Sequence, residues 1–137
     1  MTLLMGAPSP MRSTLRRAMF TAACAVAASA SAQIPSAITS DGTLGTMVNG
    51  ADGVFFIDGG TIRGANQFHS FGDFTVGTGD AAVFNGPNGT QNILGRVTGG
   101  SESIIDGTLA STIDGANLFL MNPAGVIFGP DARLELD

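Results

Sequence analysis

The chain has 137 residues, eleven acidic side chains against six arginines, no lysine, and a formal net charge of −5. That balance argues against nucleic acid or an anionic membrane surface as partner, since both call for clustered cations. One histidine and one cysteine cannot make a zinc site, and the length allows one modest domain or part of a larger one.

Residues 1–32 read as a secretory signal peptide. Arg12, Arg16 and Arg17 form a positive start, Ala18 to Ala28 is a short apolar run, and Ala30, Ser31 and Ala32 have the small-x-small form cut by signal peptidase. Cleavage after Ala32 leaves Gln33 first. The apolar run is shorter than the roughly 20 residues needed to span a bilayer, so an anchor is disfavoured. A lipoprotein reading through Cys24 lacks the expected preceding leucine, and Met11 is a candidate start, since the residues before it add nothing to the signal. Beyond residue 32, three arginines face all eleven acidic residues, a formal balance of −8, and no cysteine remains. The domain at 33–137 must therefore be held by burial and backbone pairing without disulfides.

Glycine sets the class of secondary structure in that domain. Nineteen of the twenty glycines follow residue 32, and no stretch between them exceeds nine residues, shorter than an average helix of about 11. Between them lie short runs rich in β-formers: GVFFID at 53–58, DFTV at 73–76, AAVF at 81–84, QNILGRV at 91–97, NLFLM at 117–121, GVIF at 125–128 and ARLEL at 132–136. Short strands with frequent turn signals predict an all-β fold. Asp41, Asp52, Asp58, Asp106 and Asp114 each precede glycine, which marks them as turn formers rather than acids or bases.

In ARLEL, Ala132, Leu134 and Leu136 fall on one face and Arg133 and Glu135 on the other, as in a half-solvated strand. NLFLM and VIF are apolar on both faces, which predicts strands covered on both sides or covered on one by an added loop or hairpin. IRGANQF at 62–68 is echoed by IDGANLF at 113–119, and DGTL occurs at 41–44 and 106–109. Such recurrence favours a stacked β-solenoid, although the offsets of 51 and 65 define no strict period and the pattern alone leaves a β-sandwich fragment open.

Little in the chain points to chemistry. His69, Ser70 and Asp73 are hydrolase residue types within five positions, but neighbours on a strand point to opposite faces, and Phe68, Phe71 and Phe74 suggest a strand devoted to burial. Asp58, Asp106 and Asp114 sit at glycine corners, and no GGxGxD calcium repeat occurs. No catalytic residue, cofactor site or metal site is therefore expected.

Asn122, Pro123, Ala124 and Gly125 are a better candidate. Proline fixes φ at the second position of a turn, asparagine favours the first and glycine the fourth, so NPAG specifies a type I turn. A corner between sheets is the structural reading; a site read by a partner is the functional one.

The segment GANLFLMNPAGVIFGPDARL, with DGTLGT, GANQFHSFGDFTV, AVFNG, NILGRVTGG and SIIDGTLAST in order before it, resembles the N-terminal two-partner secretion (haemagglutination activity) domain of the filamentous haemagglutinin family. The likeness runs from about Thr39 to the last residue. It implies a right-handed parallel β-helix with a small antiparallel element, export through the Sec machinery, and recognition by the POTRA domains of an outer-membrane β-barrel transporter. The destination it implies is secretion or the cell surface, by way of the periplasm of a Gram-negative-type bacterium. The passenger would be an adhesin whose host or surface ligand lies outside this region. In that family NPAG corresponds to a motif linked to secretion, while GPNG at 86–89 only approximates an Asn-Pro motif and carries no assigned role. Family members continue with further rungs, so the chain reads as a fragment or truncated frame. The alternative is the start of a secreted β-helical carbohydrate-active protein.

Overall fold

The structure, a computed structural model, describes residues 32–137. The proposed signal segment, Ala30 included, lies outside the described residues, whereas Ala32 and Gln33 open them in exposed positions. No helix occurs among the described residues. The strands are β1 (Ala37–Ser40), β2 (Thr46–Ala51), β3 (Val54–Gly59), β4 (Thr61–Arg63), β5 (Asn66–Thr75), β6 (Ala81–Phe84), β7 (Asn92–Val97), β8 (Ser103–Ile105), β9 (Thr108–Ser111), β10 (Asn117–Met121), β11 (Val126–Phe128) and β12 (Arg133–Glu135).

Parallel pairing stacks these strands into a β-solenoid of about three turns. In one sheet Val54, Ala81, Thr108 and Arg133 lie in register on β3, β6, β9 and β12. In a second, Asn66, Asn92 and Asn117 align on β5, β7 and β10. A third, short face pairs β8 with β11, and Val76 bridges to Ile105 below it. The coil length read from these registers is 23 to 29 residues. Thus the offset of 51 between the two Gly-Ala-Asn segments spans two coils. The DGTL offset of 65 matches no coil: Asp41 follows β1 in the antiparallel cap, and Asp106 turns the chain from β8 to β9.

The antiparallel element expected beside the solenoid covers its first coil. β2 pairs with β3, while β1 and β4 share the outer edge of β5. The β2–β3 loop is Asp52-Gly53 with φ of 51° and 80°, the doubly left-handed geometry of a two-residue hairpin turn. Residues just past the proposed cleavage point also clamp onto a later corner. Ile34 exchanges bonds with Thr78, Ser36 Oγ donates to Asp80 Oδ2 at 2.6 Å, and Gly77 N donates to Ser36 Oγ at 2.7 Å.

Coil-to-coil spacing leaves no room for side chains at certain corners. A Cβ on Gly107 would collide with the carbonyl oxygens of Gly77 and Asp80 in the coil below. Inside, Phe71, Phe74 and Phe84 are fully buried and pack edge-on or stacked, with centroids 4.8 to 6.2 Å apart, alongside Ile57, Ile93 and Ile105.

The structure corrects two expectations. Phe68 does not join Phe71 and Phe74 in the core. Strict alternation sends Gln67, His69 and Phe71 inward and Phe68 outward, and a bulge opposite Ile38–Ser40 inserts one residue so that Phe74 also points in. NLFLM is not covered on both faces among the described residues: Phe119 and Met121 face outward and are 49% exposed each. ARLEL alternates as read, with Leu134 and Leu136 on one side and Leu134 in register with Leu109, but that side is not covered among the described residues and Leu134 is 57% exposed.

Candidate functional site

The NPAG corner joins β10 to β11. Gly125 N donates to Asn122 O at 3.0 Å, closing an i to i+3 turn, and Ala124 keeps a negative φ, so the turn is type I rather than type II. Asn122 caps the turn from within, since its Oδ1 accepts from Ala124 N at 2.9 Å. Its Nδ2 donates to Ser101 O and Ser103 Oγ, both at 2.9 Å, tying this corner to the corresponding loop one coil earlier. The Asn122 amide is therefore committed inward to the neighbouring coil rather than offered to solvent. What the corner displays is its tip, Pro123 and Ala124, which are exposed. The GPNG segment sits at a different corner, between β6 and β7, where Thr90 N donates to Pro87 O at 3.3 Å.

His69, Ser70 and Asp73 are not brought together. The His69 ring lies in the solenoid interior, 5.6 Å from the Phe84 centroid, with neither nitrogen hydrogen-bonded. Burial lowers its pKa to about 4, against an opposing pull from the Asp58 carboxylate. Ser70 Oγ instead faces outward and donates to Asp41 Oδ2 at 2.6 Å. Hydrogen bonds from Ser70, Thr43 and Thr98 hold the Asp41 carboxyl well below the usual carboxylate range. This network ties the cap to β5 and to the loop after β7. Among the described residues no three His, Cys, Asp or Glu side chains are grouped to hold a metal ion.

Sequence reading missed an asparagine ladder. Asn92 Nδ2 donates to Asn66 Oδ1 at 2.8 Å, and Asn117 Nδ2 donates to Asn92 Oδ1 at 3.2 Å and to Gln91 O at 3.3 Å. Stacked amides satisfy each other along the axis at one coil edge. The signal was present in the two Gly-Ala-Asn segments, but the middle rung reads Thr-Gln-Asn and hid it.

The candidate site is thus a displayed corner of the stack. No curated protein matches the chain. The family described as the TPS secretion domain, TPS standing for two-partner secretion, matches residues 36–137, nearly all of the described region. The chain belongs to the TPS secretion domain family, the domain through which two-partner secretion exoproteins are exported.

Proposed function

We propose that residues 33–137 serve as the export signal of an adhesin-like exoprotein and are recognised by the POTRA domains of an outer-membrane β-barrel transporter. The chain reaches the periplasm by the Sec machinery with cleavage after Ala32, and its destination is the cell surface or the medium. The observation that carries this reading is the family match over residues 36–137, joined to a rigid type I corner whose tip is free for contact. Asn122 holds the corner and Pro123 with Ala124 present it.

The test separates holding from presenting. Ala124→Glu changes the displayed tip at an exposed position of ordinary φ, so the fold is expected to persist while binding to isolated POTRA domains and export both fall. Asn122→Ala is expected to reduce export in proportion to lost stability. Full export of Ala124→Glu would leave NPAG a structural corner only.

A further inference from the structure

A hollow of about 360 Å³ opens on the outer face of β5 and β7, beneath the antiparallel cap. Its floor is apolar: Phe68 and Leu94 are register partners, and Met121 on β10, in register with Arg96, also lines it. Its wall comes from the cap, where Leu44 overhangs with φ of 58°. A leucine in the left-handed region costs about 1 to 2 kcal/mol, and such strain persists only where surrounding structure imposes it.

Two of the domain's three arginines meet here. Arg63 and Arg96 both line the hollow, and beyond residue 32 the sequence has only one other cation, Arg133, which lines a different concavity beside Asp131. Arg96 Nε donates to Ser70 Oγ at 2.8 Å and its NH2 nitrogen to Thr43 Oγ1 at 3.3 Å, both neutral oxygens; Asp41 stands one hydroxyl behind. Arg63 donates to the carbonyl of Ile62 at 3.1 Å. Apolar floor and two guanidiniums together suit a ligand that is anionic and apolar at once.

We propose that this groove receives an extended peptide segment of alternating acidic and apolar residues on the transporter's periplasmic portion. Its carboxylates meet Arg96 and Arg63, and its apolar side chains lie on Phe68, Leu94 and Met121. The inference rests on the transporter reading for the bearer of the segment. Met121 immediately precedes Asn122, so groove and NPAG corner are neighbours along β10. An anionic lipid surface is the poorer occupant, because two arginines on a domain of formal charge −8 fall short of the basic cluster such a surface requires.

A fluorescent seven-residue peptide alternating leucine and glutamate, titrated against the secreted protein, should bind saturably. Arg96→Gln and Arg63→Gln should each weaken it about tenfold, as loss of a charge-assisted hydrogen bond implies. Arg133→Gln changes net charge equally and should have no effect. Circular dichroism of each variant reports folding, and Arg63→Gln, whose bond is only to its neighbour's carbonyl, keeps the test alive where Arg96→Gln perturbs the cap. The same variants should lose binding to isolated POTRA domains of the cognate transporter. Equal peptide binding by wild type and the groove variants, or equal weakening by Arg133→Gln, overturns the groove. POTRA binding that survives both groove variants removes the transporter as occupant while leaving export recognition elsewhere intact, whereas wild-type protein that fails to bind POTRA domains sinks the transporter reading itself. Arginine-dependent sedimentation with phosphatidylglycerol vesicles, without peptide binding, would give the groove to lipid and also overturn the proposal.

Discussion

The first and last described coils are built from similarly apolar strands, yet the first hides more of them, leaving Met47, Phe56 and Ile62 exposed. Ile57, Phe71 and Phe74 are at most 1% exposed beneath the antiparallel cap, whereas β10 to β12 carry five of the eight exposed large apolar side chains: Phe119, Met121, Ile127, Phe128 and Leu134. A single ladder makes the contrast plain. Ala82, Leu109 and Leu134 occupy one interior register on β6, β9 and β12, and their exposures are 0%, 3% and 57%. Burial in a solenoid is conferred by the adjacent coil as much as by residue type. Two leucines of identical local pattern therefore contribute differently to stability.

That comparison is most sharply broken or upheld by truncating the ladder itself. Leu109→Ala should destabilise by about 2 to 5 kcal/mol, the range for a buried leucine that leaves a cavity, read as a lower urea midpoint. A comparable loss in Leu134→Ala would refute the contrast.

Acid should attack the covered coil first. With the folded His69 pKa lowered to about 4 and the unfolded value near 6.5, the unfolded chain binds the proton more readily between those limits. Stability on this account is fully present above pH 6.5, declines as pH falls through the window, and is lost below about 4. His69→Leu should flatten the dependence in that window. Asp41 acts lower: its folded pKa is depressed, so its contribution is present above the ordinary carboxylate pKa of about 3.8 and drains away as pH falls beneath it. Asp41→Asn should remove that part while leaving the slope between pH 6.5 and 4 unchanged, as followed by denaturant midpoints across pH.

Smaller effects belong to the last coil. Asn122→Ala removes the cap on Ala124 N and two donations to the Ser101–Ser103 loop, and should cost about 1 kcal/mol, consistent with loss of a side-chain cap. In this 137-residue chain Leu134→Ala, by contrast, should cost under about 1 kcal/mol because Leu134 is 57% exposed there.

Much of this was readable in the residues because the governing effects are local. Asp52-Gly53 specifies its hairpin turn through the φ values those two residues tolerate, and NPAG specifies type I through Pro123 and the negative φ at Ala124. Leu134 and Leu136 follow from alternation alone. What escaped depends on contacts between coils. Phe68 cannot share a face with both Phe71 and Phe74 by spacing alone: alternation sends it outward, and only the bulge between Phe71 and Phe74 turns Phe74 inward with Phe71. The inward turn of the Asn122 amide needs Ser101 and Ser103, about twenty positions away, and the groove needs the cap laid over β5 and β7. No local propensity reports an apolar floor assembled from Phe68, Leu94 and Met121.

The clamp of Ile34 and Ser36 on Thr78 and Asp80 sets an order of events. These bonds join positions 44 apart, so a chain delivered amino end first cannot lock its opening strand until residue 80 has arrived. Closing a loop of that length costs more entropy than adding one coil. Each later rung then needs only about 25 further residues laid on a template already in place, and growth can keep pace with delivery. The antiparallel cap thus works as a starting block: it fixes the end from which the stack is built and blunts the edge that would otherwise pair with a stray strand.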